Sequence, residues 1–168
     1  MDDQKMEIRD VIEFALEREV MARRLYEQLA SRTRQDDARM MFLELVTFEA
    51  EHVRIFTRAL AAEIKRLGFD VPSFLEKAEA KTFTMPGILD NQTLNTGALA
   101  DVLPAAKSFE KGMAAFYTQV AGHSALPQVK EACLRLSAEE MSHYDYVVRI
   151  EEVMKLSPEF DDGEFHPQ

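Results

Sequence analysis

A repeat constrains this chain more than any other feature. Laying the second half on the first with an offset of 91 places Glu19 on Glu110, Glu49 on Glu140 and His52 on His143. The same offset brings Asp10-Val11 onto Asp101-Val102, Ala15 onto Ala106, Tyr26 onto Tyr117 and Gln28 onto Gln119. It also superposes Leu43 on Leu134, Leu45 on Leu136 and Arg58 on Arg149. A single offset therefore holds through two long stretches, so the chain must build one supersecondary unit twice.

Each unit reads as a helical hairpin. Apolar residues recur at helical spacing over Met6 to Ala30, Asp37 to Leu67, Asp101 to Ala121 and Leu126 to Met154. The polar joints Ser31 to Asp36 and Ala121 to Pro127 are short enough to make each flanking pair antiparallel. Pro104 helps to place the start of the third helix near Asp101, because a missing N–H costs little in a first turn.

Between the units, Gly68 to Gly97 carries Pro72, Pro86, Gly87, Asn91 and Asn95 and reads as a crossover. Ser73, with Glu76 three residues on, predicts the cap of a brief helix inside it. The fold predicted is all-α: an antiparallel four-helix bundle of two hairpins joined by a long crossover. Residues 1–156 form that domain, and 157–168 are an acidic C-terminal tail.

In an antiparallel hairpin, residues symmetric about the joint lie at equal height, since each helix advances about 1.5 Å per residue. Glu19 and Glu49 average to position 34, and Glu110 and Glu140 to position 125, both within the joints. His52 and His143 follow their glutamates by three residues and so share their helix faces.

These carboxylates interrupt apolar stripes. Ile12, Ala15, Leu16, Ala22 and Tyr26 surround Glu19, and Phe42, Leu45, Val46, Val53 and Phe56 surround Glu49. Leu103, Ala106, Met113, Ala114 and Tyr117 flank Glu110, while Cys133, Leu136 and Val147 flank Glu140.

Four ionised carboxylates in one core repel one another, and each unpaired burial costs on the order of several kcal/mol. No lysine or arginine recurs on these faces in both halves, Lys107 and Arg23 being the nearest. Two divalent ions would cancel the four charges, and two neutral imidazoles would complete the ligand set. Oxygen and imidazole donors without thiolate suit iron or manganese, with zinc as another occupant. The competing reading is a metal-free bundle whose carboxylates share protons.

Tyr26 and Tyr117 lie seven residues after Glu19 and Glu110, on the same face, either as core aromatics or as hydroxyls that orient a ligand carboxylate. His123 and His166 are assigned no role, and the methionines and Cys133 are read as core filler.

The formal charge of -10 disfavours nucleic-acid binding. No apolar run reaches the ~18 residues that a membrane span needs, and the acidic start, Met1 to Lys5, is unlike a secretory signal. A cytoplasmic protein is expected.

Four coordinated motifs, Glu19-x-x-Ala22-x-x-x-Tyr26, Glu49-x-x-His52, Glu110 with Tyr117, and Glu140-x-x-His143, resemble those of the ferritin-like superfamily. Over positions 6 to 155 the likeness is greatest to a rubrerythrin-type di-iron domain. That resemblance implies two iron ions, with Glu49 and Glu140 bridging, Glu19 and Glu110 terminal, and one ion on each of His52 and His143.

It further implies an oxidoreductase that reacts ferrous iron with hydrogen peroxide or dioxygen and draws electrons from an external donor. An iron-handling module without dedicated catalysis is the alternative. Bundles of this kind often pair through helix faces, which makes a homodimer an expectation for assembly. Two departures stand out: Cys133 alone cannot ligate the rubredoxin-like iron that rubrerythrins usually add, and Lys107 and Met113 occupy positions where they tend to offer another glutamate.

Overall fold

The computed structural model describes residues 7–81 and 99–156, and its regular structure is entirely helical. In chain order the helices are α1 (Ile8–Arg32), α2 (Asp36–Ala59), α3 (Ala61–Leu67), α4 (Val71–Ala80), α5 (Leu99–His123) and α6 (Pro127–Lys155). α1 packs chiefly on α2 and α5 on α6. The two hairpins then meet through α2 against α6 and α1 against α5. The expected four-helix bundle is therefore present.

The apolar stripes explain this arrangement. Ile12, Leu16, Leu25 and Leu29 of α1, Phe42, Leu45 and Phe56 of α2, Val102 and Leu103 of α5, and Leu136, Val147 and Ile150 of α6 are all fully buried in one core. The joints are 33–35 and 124–126, so they too are related by the offset of 91. Thr33 closes the first, its hydroxyl donating to the Leu29 carbonyl at 2.6 Å. In the second, the Leu126 N–H donates to Ser124 Oγ at 3.2 Å.

Three boundaries differ from expectation. The second helix does not run unbroken to Leu67, because Leu60 (φ -98°, ψ 11°) bends the chain between α2 and α3. No glycine or proline causes the bend. Leu60 keeps its backbone bonds to Phe56 and Ile64, and its side chain is wholly buried, so packing sets the angle. The helix in the crossover exists, but its cap is Asp70, whose Oδ1 accepts from Ser73 N at 3.0 Å. α5 is already helical at Leu99, which puts Pro104 inside it rather than at its start.

Gly68 ends α3 at φ +59°, with its N–H bonded to the Lys65 carbonyl and that of Phe69 to Ile64. This is a Schellman cap, and its left-handed residue favours glycine. Behind it α4 lies along α1, tied by the Arg23–Glu79 ion pair and by Arg24 donating to the Lys81 carbonyl at 2.8 Å. The 82–97 part of the expected crossover, the expected helix start at Met6 and the expected tail 157–168 lie outside the described residues. No described helix is long and apolar enough to cross a membrane.

Candidate metal centre

Glu19 is carried by α1, Glu49 and His52 by α2, Glu110 by α5, and Glu140 and His143 by α6. All six face the core: relative exposure is 0% for Glu110, 1% for Glu19, Glu49, His52 and Glu140, and 6% for His143. The structure thus brings every ligand candidate read from the sequence into one place. Tyr26 and Tyr117 join them at 0% exposure.

The distances divide the carboxylates into two kinds. Glu49 approaches both imidazoles with separate oxygens, Oε2 standing 3.4 Å from His52 Nδ1 and Oε1 3.0 Å from His143 Nδ1. Glu140 does the same, Oε1 at 3.2 Å from His52 Nδ1 and Oε2 at 3.5 Å from His143 Nδ1. Glu19 nears only His52 Nδ1, at 3.4 Å, and Glu110 only His143 Nδ1, at 3.9 Å. Donor atoms of Glu49, His52, Glu140 and His143 lie within 4.8 Å of one another, and the two imidazoles stack with centroids 4.8 Å apart.

The tyrosines cross between the halves. Tyr26 of α1 donates its hydroxyl to Glu110 Oε1 of α5, and Tyr117 of α5 donates to Glu19 Oε1 of α1. Each hydroxyl satisfies one oxygen of a carboxylate and turns the other inward. Burial, reinforced by Glu110 and Glu19 respectively, raises both phenols well above their ordinary range, so they remain donors.

Protons distribute unevenly over the cluster. Burial pushes Glu19 and Glu110 well above the usual carboxylate range, with Glu140 adding to the first and Glu49 to the second. Burial also opposes ionisation of Glu49, but hydrogen-bond and charge interactions with His143 and His52 outweigh it and hold that carboxyl down at about 2. Burial would lower both histidines, yet the carboxylates override it. Glu140 and Glu49 lift His143 to about 9, and Glu140, Glu19 and Glu49 raise His52.

Hydrogen bonding leaves a defined set of atoms unsatisfied. Glu19 Oε2, Glu110 Oε2, both oxygens of Glu49 and of Glu140, and Nδ1 of His52 and His143 are buried without a hydrogen-bond partner. They lie within reach of charge but are aimed at a common space rather than at each other. Lys107 pairs with Glu151 at 3.0 Å, and Arg23 with Glu79 and Glu27, so neither cation serves the cluster. An unsatisfied buried charge costs several kcal/mol, while burying one large apolar side chain gains only about 1.5–3 kcal/mol. Donors of this type and placement fit a pair of divalent ions.

One contact escaped the sequence reading. Glu139 Oε2 lies 3.3 Å from His52 Nε2, and Glu139 Oε1 accepts from Arg135 Nε at 2.7 Å. The repeat offers the signal that could have found it, since Glu139 falls on Phe48, a break in an otherwise matched pair of helices. His123 is exposed and bonds to its own helix through Gln119, while Cys133 is a buried thiol that burial raises to about 11.

Fold and cluster together define a class: an all-α, ferritin-like bundle with a buried glutamate–histidine cluster suited to a di-metal centre. The family model described as Rubrerythrin matches residues 10–151, and the chain belongs to that family. No curated protein and no solved structure matches it.

Proposed function

We propose that the chain is a di-iron oxidoreductase that reduces hydrogen peroxide or dioxygen with ferrous iron, re-reduced by an external electron donor. The observation that carries this reading is the set of buried unsatisfied oxygens and nitrogens, apportioned symmetrically about the two imidazoles. Glu19, His52, Glu49 Oε2 and Glu140 Oε1 would hold one ion. Glu110, His143, Glu49 Oε1 and Glu140 Oε2 would hold the other. Glu49 and Glu140 thereby act as bridges and Glu19 and Glu110 as terminal ligands.

A bound ferrous pair supplies two electrons, one per iron, enough with two protons to split the O–O bond of peroxide into two waters. The residues of this chain prepare the site for that chemistry. Tyr26 and Tyr117 keep their protons and fix the orientation of Glu110 and Glu19. Leu16, Phe42, Leu45, Phe56 and Leu136 keep bulk water from the carboxylates, which strengthens their hold on a cation.

The test is to load the metal-free protein with ferrous iron under anaerobic conditions, add peroxide or dioxygen, and follow oxidation optically. Oxidation well ahead of free iron is expected. Bound iron that oxidises no faster than free iron would replace the enzymatic reading with that of an iron-handling module.

A further inference from the structure

The repeat relates nearly every contact of one imidazole to a contact of the other, and it fails at one place. His52 has Glu139 at its outer nitrogen, Nε2, at 3.3 Å. At the equivalent position in the other half stands Phe48, whose ring stacks on His143 with centroids 5.4 Å apart and 16° between planes. The charged neighbours of His143 within 4.0 Å all face Nδ1. Glu139 is itself held, because Arg135 Nε donates to its second oxygen at 2.7 Å.

A carboxylate on the outer nitrogen does two things to a ligating imidazole. It fixes the proton on Nε2, which leaves the Nδ1 lone pair free for a metal, and it makes that lone pair more basic. A stacked phenyl ring fixes the plane of the imidazole but accepts no strong hydrogen bond at its edge. The two imidazoles lie side by side with 10° between their planes, so they face the inner carboxylates alike and differ at their outer edges.

We infer that the two metal positions are unequal and that Glu139 sets the difference. As a positioning residue it anchors His52, so the ion held by His52 and Glu19 binds more tightly than the ion held by His143 and Glu110. The inference rests on the di-metal reading above and adds an order of filling to it. The first ion enters the His52 side, and the ion on the His143 side is the more readily exchanged.

The experiment is an anaerobic titration of the whole metal-free protein with cobalt(II), followed by visible absorbance and calorimetry, for the natural chain, Glu139→Ala and Glu139→Gln. The natural chain should take up cobalt in two resolved steps. Glu139→Ala should weaken the tighter step by roughly 10–100-fold and leave the weaker one in place, so the steps converge. Glu139→Gln keeps the volume and an acceptor oxygen without the charge, and should fall between the two.

Glu139 is partly exposed, and circular dichroism with thermal melting establishes that both variants keep the bundle. Two equal steps in the natural chain would overturn the inference while leaving the di-metal reading intact, as would equal weakening of both steps by Glu139→Ala. No cobalt uptake by the natural chain would overturn both.

Discussion

The two halves of the bundle are near copies at the level that binds charge and different everywhere else. Around the cluster, α1–α2 and α5–α6 present the same residues at one offset, and even the tyrosine contacts are exchanged in matching fashion, Tyr26 to Glu110 and Tyr117 to Glu19. Outside it, the first half bends at Leu60 into α3, caps it with Gly68 and lays α4 on α1, tied there by Arg23 and Arg24. The second half continues straight in α6 to Lys155. Buried polar chemistry tolerates little drift because every inward oxygen must find a partner, whereas surface connections need only cover apolar area.

The comparison can be broken most completely at the bridges. Because Glu49 and Glu140 each face both imidazoles, either Glu49→Ala or Glu140→Ala should remove both ions, whereas Glu19→Ala should spare the ion on the His143 side. Metal analysis after anaerobic loading reads this directly as a fall from two ions per chain to none, against a fall to one. The metal-free bundle should melt no lower without Glu49 and Glu140 together, since removing buried charges from an unneutralised core need not destabilise it. Collapse of the helical signal would contradict that.

Acidity acts on both halves at once. The empty cluster holds protons on His143 up to about pH 9 and on the raised His52, Glu19 and Glu110, and a metal must displace them. Affinity should therefore rise with pH across about 6.5 to 9, by about tenfold per pH unit for each proton released. The metal-free fold should move the opposite way. The raised His143 contributes stability that is complete below the unfolded value near 6.5 and is lost as pH climbs through about 9. Calorimetric titration at several pH values, with melting of the metal-free protein alongside, measures both trends.

The tyrosines sharpen the comparison on a smaller scale. Tyr117→Phe should weaken the ion on the Glu19 side and Tyr26→Phe the ion on the Glu110 side, each by roughly tenfold, because a ligand carboxylate loses the group that orients it. Equal losses at both positions from one substitution would show that the halves are not independent. The smallest effect lies outside the symmetric region. Gly68→Ala, at φ +59°, should lower stability by about 1 kcal/mol in denaturant unfolding and leave metal uptake unchanged.

Much of this architecture was legible because two periodicities coincide in the sequence. The helical stripes located the bundle, and the symmetric placement of Glu19 with Glu49 and of Glu110 with Glu140 about positions 34 and 125 put the carboxylates at one height, as the joints 33–35 and 124–126 bear out. The bend at Leu60 was not legible, because it comes from the tertiary fit of a buried leucine and no local breaker marks it. The cap at Asp70 was misplaced onto Ser73 because Pro72 and Ser73 both suit a first turn, and only the backbone decides which residue precedes the helix. Glu139 passed unnoticed as one more acid on an acidic chain, although its mismatch with Phe48 was in plain view.

Four inward glutamates without a protein cation among them are the fact on which the rest depends. X-ray diffraction from iron-loaded crystals, collected at the iron absorption edge, tests it most directly. Two anomalous peaks should appear between Glu49 and Glu140, one beside Glu19 and His52 and the other beside Glu110 and His143. Density with no peak there, and the four carboxyl groups hydrogen-bonded to one another through shared protons, would contradict it.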